Sequence, residues 1–232
     1  WLVVGSLARD SVVALGADPG RVRVFANTID VDAYVERFDR LTCRRTELRA
    51  GLGLEPQDVT CLCVARLAPE KGIDTLLRAA AASGVRPLIV GGGPERERRE
   101  GLARRLGVPA VFAGDRPWQR MVEVYAAADI FCLLSRHEPW GVVVNEAAAC
   151  GLPLVLSDRV GAAHDLLRDG ENGRLVPADD VEAAAAALGE LARDPALRAR
   201  YGARSRELVR GWGYEPSVEN FVAACREAVG LS

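Results

Sequence analysis

The chain has 232 residues, 49% of them hydrophobic, which is enough for one sizeable α/β core and excludes intrinsic disorder. Thirty basic and thirty-two acidic side chains give a formal net charge of −2, so the basic surface needed to bind nucleic acid is absent. No apolar run reaches the roughly 18–20 residues of a membrane span. The six cysteines form no Cys-x-x-Cys pair, so we expect buried free thiols in a cytoplasmic protein.

Before residue 59 the sequence predicts a helix near 6–15, a turn at 18–20, a short strand over 22–25 and a helix over about 43–51. From residue 59 onward, short apolar runs alternate with longer helical patterns. The runs are continuous, as in strands buried on both faces, and lie at 61–65, 87–90, 111–112, 130–134, 153–156 and 174–176. Helices are predicted near 72–83, 95–106, 117–128, 141–150, 180–193, 195–210 and 216–229.

This alternation predicts a Rossmann-like α/β fold, a doubly wound parallel sheet with right-handed crossovers and closing C-terminal helices. Ligands of such sheets bind beyond the carboxyl ends of the strands. Polar or glycine-rich loops follow the predicted strands there, and we expect all of them to line one rim of a single cleft. They are Ala65–Arg66, Gly91–Pro94, Gly114–Arg116, Ser135–Trp140 and Ser157–Gly161.

The segment from Glu138 to Glu146 carries the sharpest chemical pattern. Pro139 and Gly141 interrupt the loop, and a helix that begins near Gly141 presents free N–H groups as an anion site. Carboxylates beside a phosphate are repulsive unless they accept hydrogen bonds from neutral donors, such as sugar and ribose hydroxyls. The pair therefore suggests a phosphate with a polyol. The alternative is that Glu138 only stabilises the helix dipole and Glu146 is an ordinary surface residue.

A second pattern places Arg66 at a strand end and Lys71 at the start of the next helix. The two can converge on one anion, the first through a planar fork and the second as a point charge. Lys71 is the only lysine among the thirty basic residues, which suggests that a compact ammonium is needed there. The alternative is an exposed surface pair of Lys71 with Glu70 or Asp74.

Several of these segments together resemble glycosyltransferase family 4, the large retaining family of GT-B fold. They occur in the family's order across nearly the whole chain from about residue 20. The matching segments are Arg66-x4-Lys71-Gly72, Gly91-Gly-Gly-Pro94, Phe112-Ala-Gly114, Ala128-Asp129, Glu138-x7-Glu146, Gly151-Leu-Pro153 and Asn172-Gly-Arg-Leu-Val-Pro177.

The resemblance implies roles for four side chains. Arg66 and Lys71 correspond to the basic pair that binds the donor diphosphate and stabilises it as it leaves. Glu138 corresponds to the glutamate near the donor sugar, and Glu146 to the one that holds the ribose hydroxyls. Arg66, Lys71 and Glu138 form the expected catalytic set.

The resemblance also implies backbone contacts to the donor. The amides of Gly141, Val142 and Val143 are expected to face the sugar and the phosphate, and the loop at Arg116 is expected to contact the base. Ala65 departs from the family, which usually has glycine there, and its methyl group adds bulk beside the phosphate pocket.

By the same resemblance the chain is part of an enzyme. Residues 1–30 correspond to a remnant of an N-terminal domain with the interdomain connection, and residues 31–232 to a C-terminal nucleotide-sugar-binding domain. The N-terminal domain holds most of the acceptor site, so the chain alone is expected to bind a UDP-, GDP- or ADP-linked sugar but to transfer little of it. Retaining transfer is expected without a metal or other cofactor. A face containing Trp212, Tyr214 and Phe221 is expected to be apolar and to self-associate, and membrane association through the N-terminal domain stays open.

Three other functions are alternatives to a glycosyltransferase. They are a non-catalytic nucleotide-sugar-binding module, a GT-B-fold sugar-nucleotide epimerase and a dinucleotide oxidoreductase. The last is disfavoured because the glycine-rich segment from Gly91 lacks the third glycine of G-x-G-x-x-G. The donor sugar, its base and the acceptor stay open.

Overall fold

The computed structural model describes residues 1–230, and its main sheet contains six parallel strands. The strands are β3 (Thr60–Val64), β4 (Arg86–Val90), β5 (Val111–Gly114), β6 (Ile130–Leu133), β7 (Leu154–Ser157) and β8 (Gly173–Val176). Their order in the sheet is β5-β4-β3-β6-β7-β8, so chain order reverses between β3 and β6, as in the doubly wound dinucleotide-binding fold. The predicted Rossmann-like α/β fold is therefore confirmed.

The three central strands β3, β6 and β7 are almost entirely buried, which explains their unbroken apolar sequences. Their register places Cys61 opposite Ile130 and Phe131 opposite Leu154. All six apolar runs predicted as strands in this region are confirmed.

Helices cover both sides of the sheet and close the C-terminal end. Asp180 and Asp194 cap two of them, each with a carboxylate oxygen 2.9 Å from the backbone nitrogen three residues on. The helices are α4 (Ile73–Ser83), α5 (Arg96–Leu106), α6 (Met121–Ala127), α7 (Val142–Ala149), α8 (Ala163–Leu166), α9 (Val181–Arg193), α10 (Pro195–Val209) and α11 (Tyr214–Ala228). The predicted helices are confirmed, although the one expected from 117 begins as a 3-10 turn over Trp118–Arg120. The four-residue α8 was not predicted.

The N-terminal part forms a separate two-stranded parallel sheet. It contains β1 (Leu2–Val3), α1 (Ser6–Ala14) and β2 (Arg23–Val24), followed by α2 (Val31–Leu41) and α3 (Arg45–Gly51). The sequence did not predict a helix over Val31–Leu41, and α2 corrects that omission. Asp30 caps α2 by accepting a hydrogen bond from the Ala33 nitrogen at 3.0 Å, and its apolar residues recur at helical spacing. The domain boundary near residue 30 stays a prediction.

Glycines bring the loops at the carboxyl edge into direct contact. Gly72 has a φ of 63°, and a Cβ atom there would lie 2.0 Å from the carbonyl oxygen of Leu134. Gly93 has a φ of 153°, and its Cβ would lie 2.4 Å from the carbonyl oxygen of Leu67. Only glycine permits these approaches, so the loops after β3, β4 and β6 pack as one rim.

Candidate functional site

A cavity of about 600 Å³ lies where the strand order reverses, between the carboxyl ends of β3 and β6. This is the position at which open α/β sheets bind ligands. The residues that line it are Val4, Asn27, Thr28, Val64, Ala65, Arg66, Lys71, Glu138, Pro139, Trp140, Gly141, Val142 and Val143. We call this cavity the switch-point pocket.

Two cations and one carboxylate lie in the switch-point pocket. The Lys71 Nζ atom is 2.7 Å from Glu138 Oε2, and the two side chains are only 17% and 18% exposed. Arg66 is exposed, and within residues 1–230 no carboxylate lies within ion-pair distance of it. Lys71 is thus not the surface partner of Glu70 or Asp74, and the three side chains together leave one positive charge facing the pocket.

The N-terminus of α7 also faces the switch-point pocket. Gly141 precedes the helix with a φ of 92°, and no side chain caps this end. Val142 and Val143, the first helical residues, line the pocket. The free N–H groups of the first turn and the helix dipole therefore add to the positive potential there.

Glu146 lies one turn further along α7 and is not among the residues that line the switch-point pocket. Its Oε1 accepts a hydrogen bond from the Tyr34 hydroxyl at 2.9 Å, and its Oε2 accepts one from the Tyr125 hydroxyl at 2.6 Å. Burial raises the pKa of Glu146 above its ordinary value, against the opposite effect of both tyrosines. Glu146 is therefore a half-buried, hydrogen-bonded carboxylate and not an ordinary surface residue.

Arg116 lies outside the switch-point pocket. It lines a separate cavity of about 170 Å³ beside α3 and α6, together with Arg44 and Glu123. The structure therefore brings six of the predicted site residues together and leaves Arg116 and Glu146 apart from them. The six are Arg66, Lys71, Glu138, Gly141, Val142 and Val143.

Only two of the five predicted loops line the switch-point pocket, which corrects the expectation that all of them would. The other three pack behind it. The Gly92 carbonyl accepts a hydrogen bond from the Leu67 nitrogen at 2.8 Å, and the Gly114 carbonyl accepts one from the Gly91 nitrogen at 2.9 Å. The Gly161 nitrogen donates to the Glu138 carbonyl at 2.9 Å. These loops support the two that line the pocket.

Residues outside the predicted set also line the switch-point pocket, among them Asn27, Thr28 and Trp140. Trp140 stacks on Trp212 with ring centroids 5.1 Å apart and donates to Asn145 Oδ1 at 3.1 Å. The Thr28 hydroxyl donates to the Trp212 carbonyl. The two contacts of Trp212 join distant parts of the chain, and sequence spacing carries no signal for them.

Other expected features fall outside the pocket. Cys61, Cys63, Cys132 and Cys150 are buried free thiols, whereas Cys43 and Cys225 are exposed, which corrects the expectation for those two. Residues 1–230 contain no group of three or more His, Cys, Asp or Glu side chains placed to hold a metal ion. Nor does this part of the chain include a helix with the length and apolar character to cross a membrane.

The fold and the pocket together define a Rossmann-like domain with a pocket at its switch point that Arg66, Lys71 and the N-terminus of α7 line. The chain matches the family model of Glycosyl transferases group 1 over residues 44–208, and it belongs to that family. It is 37% identical to the D-inositol 3-phosphate glycosyltransferase of Acidothermus cellulolyticus, over 96% of this chain and 51% of the relative. The corresponding enzyme of Kribbella flavida is 33% identical over 95% of this chain and 54% of the relative. The chain thus spans about half the length of the curated relatives it matches.

Solved structures share the fold over nearly the whole chain. Sucrose-phosphate synthase of Thermosynechococcus elongatus superposes with a TM-score of 0.83 and 26% identity, over 100% of this chain and 58% of that one. HepE of Anabaena, solved in complex with UDP, also gives a TM-score of 0.83, with 22% identity over 98% of this chain and 63% of HepE.

Proposed function

We propose that the chain is the donor-binding half of a retaining glycosyltransferase and binds the diphosphate of a nucleotide sugar in the switch-point pocket. The observation that carries the proposal is the convergence of Arg66, Lys71 and the uncapped N-terminus of α7 on one cavity. These groups supply positive charge and free donors, and a pyrophosphate supplies matching negative oxygens.

The ion pair between Lys71 and Glu138 is compatible with this role. An ammonium has three donors, so Lys71 can keep Glu138 as a partner and still donate to a phosphate oxygen. Arg66 has no ion-pair partner in the described part of the chain, and its planar fork is free for a second phosphate oxygen. Glu138 then lies at the boundary between the diphosphate and the sugar.

In the proposed reaction the bond between the anomeric carbon and the diphosphate oxygen breaks as the oxygen of an acceptor hydroxyl bonds to the same carbon. Negative charge grows on the leaving diphosphate, which takes up the acceptor's proton. Arg66, Lys71 and the amides of Val142 and Val143 stabilise that charge inside a cleft. Glu138 orients the sugar. These groups already supply positive charge, so we propose transfer without a metal ion, and the phosphate site favours transfer over hydrolysis.

The comparisons support a sugar nucleotide as the ligand and suggest which one to test first. The curated relatives are named as D-inositol 3-phosphate glycosyltransferases, and HepE was solved with UDP. We therefore take UDP as the primary probe, with GDP and ADP beside it. The role of Glu146 in holding the ribose hydroxyls stays a proposal, and it requires the lone pairs that Tyr34 and Tyr125 leave free.

Calorimetry of the chain against UDP, GDP and ADP tests the proposal. We expect one of the three to bind, and both Arg66→Ala and Lys71→Ala to weaken binding by roughly 1.5–3 kcal/mol, the value of a charge-assisted hydrogen bond. Arg78→Ala is the matched control, because Arg78 is an exposed arginine of α4 outside the pocket.

Binding of none of the three nucleotides would reject the proposal. So would a nucleotide whose affinity is the same in wild type, Arg66→Ala and Lys71→Ala, because the diphosphate would then lie elsewhere.

A further inference from the structure

Arg136, two residues before Glu138, donates hydrogen bonds to the loop that carries Lys71. Its Nη1 donates to the carbonyl oxygen of Pro69, and its backbone nitrogen donates to that of Glu70 at 2.7 Å. Both acceptors immediately precede Lys71 in the chain. One residue of the β6–α7 loop therefore fastens the end of the β3–α4 loop.

The rest of the Arg136 guanidinium is held by two carboxylates. Nη1 and Nη2 donate to Asp74 at 3.2 and 2.9 Å, and Nε donates to Asp179 at 3.0 Å. Nη2 also lies 2.7 Å from Asp179. The hydrogen bonds to Asp74 raise the pKa of Arg136 above its ordinary value. All three nitrogens of the guanidinium are engaged, so its position is fixed in three directions.

The backbone of Asp179 is strained at this contact. Among residues 1–230 it is the one non-glycine residue with a positive φ, at 65°. Its carboxylate accepts a hydrogen bond from the Thr75 hydroxyl at 3.1 Å as well as those from Arg136. Such strain persists where the surrounding contacts over-determine a residue, and it concentrates at functional sites.

The contacts continue into a chain of alternating charges. Arg99, which is only 4% exposed, lies 3.4 Å from Asp74 and 2.5 Å from Glu95. The series Asp179, Arg136, Asp74, Arg99, Glu95 therefore links the loops that follow β8, β6 and β4 with the first turns of α4 and α5. We call these five side chains the rim network. It lies beside the switch-point pocket, and none of its members lines that pocket.

We propose that Arg136 is a positioning residue for the donor diphosphate, which sets the distance between Lys71 and Glu138 by clamping their two loops together. The inference rests on the proposed function, because it assigns Arg136 an effect on the same ligand. The Lys71–Glu138 contact of 2.7 Å bridges the two loops that Arg136 joins. Arg136 is outside the pocket and acts through Lys71.

The geometry requires arginine at this position. A lysine keeps the charge, but its three donors share one nitrogen and cannot reproduce the planar fork of Nε, Nη1 and Nη2 that reaches Asp74, Asp179 and the Pro69 carbonyl. Arg136→Lys therefore loosens the clamp and leaves the net charge of the rim unchanged.

The test compares the affinities of wild type and Arg136→Lys for UDP and for UMP, which lacks the second phosphate. We expect a loss of about fivefold or more for UDP and of less than about twofold for UMP, because misplacing a binding group costs affinity only for the ligand part it touches. Arg174→Lys is the matched control. Arg174 has nearly the same exposure, 31% against 32%, and makes a similar fork to Glu190 away from the pocket. We expect Arg174→Lys to leave both affinities unchanged.

A double-mutant cycle with Lys71→Ala distinguishes a positioning role from a general loss of stability. If Arg136 acts through Lys71, the UDP affinity of the double variant lies within about twofold of that of Lys71→Ala, because the effects of coupled residues are not additive. If Arg136→Lys does not fold, Asp179→Asn removes the charge that holds Arg136 from the opposite side, and the same ratio of UDP to UMP affinity is expected to fall.

Equal affinities of wild type and the rim variants for UDP overturn the inference alone. Additive losses in the cycle also overturn it, since Arg136 would then act independently of Lys71. A wild-type chain that binds none of the nucleoside diphosphates overturns the proposed function and this inference together.

Discussion

Glu146 shows how a half-buried carboxylate makes the stability of the fold depend on pH. Its carboxylate holds two tyrosine hydroxyls, and burial raises its pKa above the ordinary 4.5 in spite of them. A carboxyl whose pKa is raised by folding is more readily protonated in the folded chain. It therefore stabilises the fold below its unfolded pKa, and that contribution is lost as the pH rises through the folded value.

We expect Glu146→Gln to remove this pH dependence. The variant should gain in free energy of unfolding relative to wild type as the pH rises from 4 to 7. The gain should be about 1.4 kcal/mol for each unit by which folding raises the pKa of Glu146. Urea denaturation of both proteins between pH 4 and pH 8 measures the difference.

Tyr34→Phe is a second variant that tests the same account. Its lost hydroxyl lowers the pKa of Glu146 in the wild type, so the pH dependence should grow in this variant. A difference between Glu146→Gln and wild type that is constant across the pH range would contradict this account.

At the scale of elements, a buried arginine joins α3 to the segments that precede β3 and β6. Arg49 is 4% exposed and donates to the carbonyl oxygens of Ala127, Glu55 and Asp58 at 2.7–2.8 Å. It also reaches Asp129 at 3.2 Å. The segment Ala128-Asp129 matched a family motif without an assigned role, and its role here is architectural.

Arg49→Met should therefore destabilise the fold by about 3–5 kcal/mol, because it leaves three carbonyl oxygens without this donor, whereas Asp129 keeps Arg45 at 2.7 Å and the Thr60 nitrogen at 2.8 Å. Thermal and urea denaturation measure the loss. Arg44→Met is the control, since Arg44 is exposed and makes only a surface pair with Glu47, which solvent screens. Similar losses in the two variants would show that the buried contacts of Arg49 carry no special stability.

The sequence predicts the elements of the sheet because buried parallel strands leave continuous apolar runs, and it predicts Arg66, Lys71 and Glu138 because they directly follow such strands. Helix α2 was not predicted, although the capping residue Asp30 and the apolar spacing after it are signals of a helix. Tyr34 lies on that helix, so the environment of Glu146 could not be foreseen. The position of Arg116 depends on the packing of α3 against α6, which local spacing does not encode.

At the scale of the whole molecule, an apolar surface lies along α11. Val218, Phe221 and Val222 are exposed on this helix, and Phe221 lies 5.4 Å from the exposed Phe25 between ring centroids. Tyr214 is exposed as well, whereas Trp212 packs on Trp140. Contiguous exposed apolar patches mark interaction surfaces. Self-association through this surface stays a prediction, and the proposed second half of the enzyme is the other candidate to cover it.

We expect the chain alone to bind UDP but to transfer sugar from a UDP-sugar at a small fraction of the rate of its full-length relatives. Orientation of the acceptor supplies a large part of the rate of a two-substrate reaction, and the chain spans only about half of those relatives. Adding the N-terminal half of the Acidothermus cellulolyticus relative, expressed separately, should raise the rate of transfer to the acceptor for which that relative is named. Phe221→Asp should abolish that increase and leave UDP binding intact, because it introduces a charge on the apolar surface outside the pocket.

Rapid transfer by the chain alone would show that it contains its own acceptor site. UDP binding with no transfer in any combination would favour a non-catalytic binding module.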